Sequence, residues 1–175
     1  MDIYQILITH NRAWTIREII CFSIVFILAA IAARYLVKCG RIVMSQAIAG
    51  LVLIIFLGVV FGSTVFTRIP TIRRYELLLF WSWKTVIINH NWEMLKENLL
   101  NCVLLLPMGM LLPITFRKKF SWTEGFMYGF FVSAIIETSQ LILRRGLFEW
   151  DDMIHNAIGC MVGSIVISTM IKQCK

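Results

Sequence analysis

The residues able to do chemistry are concentrated between Ser133 and Gly163. Glu137 and Gln140 lie inside an apolar run that stops at Arg144-Arg145-Gly146. A short acidic turn follows, Glu149-Trp150-Asp151-Asp152, and a second apolar run opens with His155 and Asn156 in its first turn. Ionisable groups inside membrane-length segments are rare and costly, so they mark functional sites. A carboxylate in an apolar wall needs a partner, and Arg144 or Arg145 is the natural one for Glu137. Three chemistries fit these residue types. The groups can bind a polar or anionic headgroup. They can form an ion pair and amide network that only locks helices together. Or Glu137 can act as general acid or base, assisted by His155 or Asp152. Asp151, Asp152 and His155 are also metal-ligand types, but no recognised metal motif is present, and no metal or cofactor is expected.

The elements that must position these groups are membrane spans. Of 175 residues, 59% are hydrophobic and only 15% charged, with a mean hydropathy of +0.78. A soluble domain is nearer a quarter charged. The net charge of +7 sits in short clusters between apolar runs. That is a membrane-orientation pattern and not a nucleic-acid footprint. Cys21, Cys39, Cys102, Cys160 and Cys174 show no CxxC and no disulfide spacing, and read as small buried apolar residues.

The expected fold is all-α, a polytopic bundle of about five transmembrane helices. The spans read as 19–37, 42–66, 99–116, 126–143 and 154–171. Ala30-Ile31-Ala32 resembles a signal-peptidase site, but the apolar run continues past it, so an uncleaved span is expected. Residues 1–66 form a two-helix N-terminal part, 67–97 an extramembrane or interfacial loop, and 98–175 the three-helix, motif-bearing part of a single domain. Within the loop, Leu77 to Trp83 is apolar but too short to span. It reads as a segment lying on the bilayer, or alternatively as a lid over a cavity. Pro107-Met108-Gly109 interrupts the third span. Gly58/Gly62, Gly125/Gly129 and Gly159/Gly163 are spaced by four, smooth faces for helix packing.

Consecutive spans alternate in direction. Asn98 and Asn101 open the third span, Glu137, Gln140, Arg144 and Arg145 close the fourth, and Asp151, Asp152, His155 and Asn156 open the fifth. All three sets therefore belong at one membrane face. Glu137 lies about two turns, roughly 10 Å, below Arg144. A single polar pocket floored near Glu137 is expected. Asp151 or Asp152 is expected to cap the fifth span. The basic residues at 38–41, 117–119 and at Lys172 and Lys175 put those segments in the cytoplasm, with the N-terminus and the pocket outside.

These residues also resemble the VanZ-like family of bacterial membrane proteins. The matching pieces are Asn98-xx-Asn101-xxxx-Leu106-Pro107-Met108-Gly109, then Ser133-xxx-Glu137-xx-Gln140, then Arg144-Arg145-Gly146-Leu147-Phe148-Glu149-Trp150-Asp151-Asp152-xxx-Asn156-xx-Gly159-xxx-Gly163. Tyr75 to Trp83 looks like the family's loop ahead of the Asn-rich span, and the resemblance runs over about 75–165. Here Gly146 intervenes after two arginines, where family members often place the arginine directly beside the residue preceding the acidic turn. The family's founding member is associated with low-level teicoplanin resistance in Gram-positive bacteria. The resemblance thus implies a multi-pass cell-membrane protein that lowers susceptibility to glycopeptide antibiotics. Its partners would be the bilayer and a lipid-linked wall precursor or anionic lipid headgroup, with no nucleic acid. The pocket residues would be Asn98, Asn101, Glu137, Gln140, Arg144, Arg145, Asp151, Asp152 and Asn156. The rival reading is an intramembrane enzyme acting on a lipid or wall precursor.

Overall fold

The computed structural model describes residues 12–173. Helix α1 (Ile16–Lys38) is followed by α2 (Met44–Phe61), which runs on through a π-turn, Gly62–Phe66. Then come strand β1 (Arg74–Glu76), the short helix α3 (Trp81–Asn89), α4 (Trp92–Leu104), α5 (Leu106–Phe116), α6 (Trp122–Leu143), strand β2 (Leu147–Glu149) and α7 (Trp150–Gln173). Among the described residues, five segments are long and apolar enough to cross a membrane, α4 and α5 counting as one. The chain is a multi-pass, nearly all-α bundle.

The fourth and fifth spans begin four residues earlier than expected, at Trp122 and Trp150, and the largest difference is at the third. It begins at Trp92, not Leu99, and so takes in residues expected to be loop. Asn91 caps it, its side chain accepting the backbone N–H groups of Glu93 and Met94 at 3.1 Å each. The first turns carry exposed Glu93, Lys96 and Glu97, which lower the hydropathy without weakening the helix. The interruption falls at Leu105, just ahead of Pro107. That proline occupies the first turn of α5, where its missing N–H costs nothing. Ser121 caps α6 through a reciprocal arrangement with Glu124.

Helix α7 is the centre, packed against α4, α5 and α6. The small residues permit this. A Cβ at Gly159 would lie 1.7 Å from the Cys102 carbonyl oxygen, and one at Gly163 2.3 Å from that of Leu106. Gly125 and Gly129 give the same closeness between α6 and α7. The apolar core gathers Val60, Val65, Leu105, Met108, Leu112, Phe120, Ile136 and Cys160. Helix α1 has no buried residue and packs on α2, with Phe22 and Trp14 laid over Gly58 and Gly62. The reading of the cysteines as buried holds for Cys160 alone among the described ones. Cys21 and Cys39 are exposed on the outermost helix and its end, where an apolar side chain faces outward. Cys174, Lys175 and the N-terminal residues 1–11 lie outside the described residues, so the termini of the expected orientation are not described.

Strands β1 and β2 pair in parallel, Arg74 opposite Leu147, Tyr75 opposite Phe148 and Glu76 opposite Glu149. The Thr71 N–H donates to the Arg144 carbonyl at 2.6 Å. These bonds fasten the long connection to the turn between α6 and α7.

Candidate functional site

Four spans and the connection line a cavity of about 380 Å³. Asn98, Asn101, Glu137, Gln140, Asp152 and Asn156 all line it. Arg144, Arg145, Asp151 and His155 do not. The floor is buried: Asn98, Glu137, Gln140 and Asn156 are each 2–4% exposed.

Each floor residue is held by a specific bond. Glu137 Oε2 accepts the backbone N–H of Glu149 at 3.1 Å. Asn101 donates to Asp152 Oδ1 at 2.6 Å. Asn98 donates to Ser82 Oγ at 3.3 Å, and Gln140 to the Thr64 carbonyl at 2.9 Å. Asn156 donates to Ser133 Oγ at 2.8 Å, and its carbonyl oxygen has no partner among the described residues.

The expected ion pair of Glu137 with Arg144 or Arg145 is not formed. The ion pairs among the described residues are Arg12–Glu18 and Lys118–Glu124. Arg144 ends α6 in the left-handed conformation and is exposed. The Arg145 guanidinium turns to the second span, where it donates to the carbonyls of Val65 (3.2 Å) and Phe66. A helix leaves its last carbonyls unpaired at its negative end, a strong attraction for a guanidinium.

Asp151 caps a helix other than its own. Its oxygens accept the N–H of Phe80 at 2.6 Å, the N–H of Ser82 at 3.0 Å and the hydroxyl of Ser82 at 2.5 Å. These are the first orphan donors of α3. His155 Nε2 accepts the Trp83 indole N–H at 2.7 Å. Asp151 and His155 thus dock α3 onto α7, which leaves His155 outside the cavity. Of the stretch read as interfacial, Leu77 to Phe80 are exposed, while Ser82 is buried and Trp81 lines the cavity.

The structure adds Thr64, Arg68, Trp81, Glu97 and Glu149 to the cavity wall. Glu149 belongs to the acidic turn, but its strand was not foreseen. Arg68 is the first cation after the second span, at the face where the other polar sets converge, and that position is the signal that could have found it. Gly146 makes room for it: a Cβ there would meet Gln140 Oε1 at 2.9 Å and Arg68 Nη1 at 3.1 Å. Among the described residues, no three His, Cys, Asp or Glu side chains are placed to hold a metal.

The sequence model of the VanZ/LLP1 family matches residues 45–172, a range that contains every wall of this cavity. The chain belongs to the VanZ/LLP1 family. Comparison with curated proteins and with solved structures returned no match. The VanZ/LLP1 match begins at the start of α2 and leaves α1 outside it.

Burial, with the charges of Asp152, Asp151 and Glu97 adding to it, pushes the Glu149 carboxyl up to about 8 from an ordinary 4.5. The folded chain therefore holds this proton more tightly than the unfolded chain does. Between pH 4.5 and 8 the unfolded state binds fewer protons, so stability falls as pH rises through that window. In detergent, the melting temperature should decline from pH 5 to pH 8, and Glu149→Gln should flatten the slope. An equally steep decline in the variant would refute this assignment.

Proposed function

We propose that this VanZ-family chain is a cell-envelope membrane protein whose cavity binds the headgroup of a lipid or of a lipid-linked wall precursor. By binding or modulating that component it lowers susceptibility to glycopeptide and lipoglycopeptide antibiotics such as teicoplanin. The observation that carries this reading is the cavity itself, a polar-floored chamber of about 380 Å³ at one end of four spans. Asn98, Asn101, Gln140 and Asn156 supply hydrogen bonds, and Arg68 takes the contact first expected of Arg144 and Arg145. In this reading the cavity opens outward and the basic turns at 38–41 and 117–119 face the cytoplasm. A cysteine placed at Thr71 should then react with an impermeant thiol reagent on intact cells, and one at Lys119 should not. The reverse labelling would invert the topology.

Expression in a susceptible strain should raise teicoplanin tolerance, and Glu137→Gln or Arg68→Gln should return it to that of the empty strain. If both variants accumulate normally and tolerance persists, the cavity is not the functional site. A second reading, an enzyme acting on a lipid or wall precursor, is favoured by the carboxylates of Glu137 and Asp152 in one wall. A lipid species that appears or disappears with expression, and depends on Glu137, would decide for it. Unchanged envelope composition would decide for binding.

A further inference from the structure

The cavity's charges are unequal. Glu97, Glu137, Glu149 and Asp152 bring four carboxyl groups to its wall, and among the described residues Arg68 is its single cationic side chain. Among the described residues, none of these carboxyls has a basic side chain within ion-pair distance. Glu149 keeps its proton up to about pH 8, so a purely anionic headgroup meets one favourable charge against the carboxyls that do ionise, whereas a bound cation would draw that proton off.

Two further features point to the complementary chemistry. Asn156 is 2% exposed, and its amide nitrogen is occupied by Ser133. Asn156 lines the cavity, and its carbonyl oxygen is buried with no donor among the described residues. A buried acceptor left unpaired is costly, so a ligand that brings an N–H there recovers that cost. Trp81 lines the same cavity. Indole faces attract ammonium groups more strongly than other aromatic rings do.

We propose that the cavity recognises a primary ammonium tethered to a phosphodiester. The ammonium lies among the carboxylates and the Asn156 carbonyl, and the phosphate lies at Arg68. This rests on the headgroup-binding reading and names its ligand class. The shared chemistry has two membrane sources, a zwitterionic ethanolamine phospholipid and an aminoacylated phosphatidylglycerol. A cavity of about 380 Å³ is at the small end of ligand sites and suits a headgroup of that size.

The test is binding of the full chain in detergent to four short-chain lipids. They are phosphatidylethanolamine, its N-acetyl derivative, lysyl-phosphatidylglycerol and phosphatidylglycerol. At least one amine-bearing lipid should bind roughly tenfold more tightly than phosphatidylglycerol, a difference easily resolved in dissociation constants. Which of the two amine lipids binds identifies the source. N-acetylation keeps the phosphate and removes the ammonium, so it should abolish the preference. Glu97→Gln, at an exposed position of the rim, leaves the core packing alone and should reduce the preference. Arg68→Gln should weaken all phospholipids alike. Equal or tighter binding of phosphatidylglycerol, or a preference untouched by N-acetylation or by Glu97→Gln, overturns the ammonium assignment and leaves headgroup binding standing. Binding of none of the four lipids overturns the ammonium assignment together with the phospholipid form of headgroup binding.

Discussion

Asp151→Ala should detach α3 and collapse the cavity roof. Three donors lose their acceptor at once, the N–H groups of Phe80 and Ser82 and the Ser82 hydroxyl. Asp151 and Ser82 are 2% and 3% exposed, so water does not readily replace the carboxylate. At about 1–3 kcal/mol for each buried group left unpaired, the loss should exceed 3 kcal/mol. Phe80 adds to it. Its φ of 60° is left-handed, an unfavourable conformation for a bulky residue, and its N–H bond to Asp151 helps to hold it there. Asp151→Asn keeps one acceptor oxygen and should fall between wild type and alanine. The measurements are the melting temperature in detergent and limited proteolysis of residues 72–90. An unchanged melting temperature with unchanged protease resistance would show that Asp151 does not hold the roof.

Gly159→Ala should be nearly as damaging, for steric reasons alone. The added methyl would stand 1.7 Å from the Cys102 carbonyl oxygen and 2.8 Å from its carbon, and neither is the flexible end of a side chain. Helices α7 and α4 must separate. Overpacking of this kind costs roughly 1–3 kcal/mol and more where backbone must move. The separation would also pull Asn101 from Asp152, so lipid binding should fall together with stability. Gly50→Ala is the matched control. Its methyl would meet Thr115 Cγ2 at an ordinary 3.6 Å, and the melting temperature should hold or rise. A Gly159→Ala protein as stable as the Gly50→Ala protein would mean that α7 packs less closely than described.

The helices were legible because membrane spans announce themselves by length. An apolar run of about twenty residues has few alternatives to crossing. The convergence of Asn98, Asn101, Glu137, Gln140, Asp152 and Asn156 was legible for a related reason, since alternating direction places the ends of successive spans together. Their shared cavity required nothing finer than counting. What escaped was partner choice. Asp151 was expected to cap its own helix, as local geometry allows, but its donors lie 69 and 71 positions away. Arg145 was expected to meet Glu137 by charge complementarity. The carbonyls left free at the end of the second span, as at any helix C-terminus, compete for the same guanidinium, and hydropathy does not register them. Helix α3 escaped because nine residues are too few for a span and carry no side-chain cap. Its cap is supplied from α7.

The parallel pairing of β1 with β2 has a consequence for biosynthesis. Arg74–Glu76 leaves the ribosome well before Leu147–Glu149, and two membrane crossings must be completed between them. Until then the earlier strand has no neighbour, and α3 waits for a carboxylate that has not yet been translated. Such non-local closure is slow and comes late. The chamber is therefore the last part of the protein to be assembled. A nascent chain stalled before Asp151 would carry its first four spans without a roof, leaving Glu76 and the orphan N–H groups of α3 for quality control to recognise.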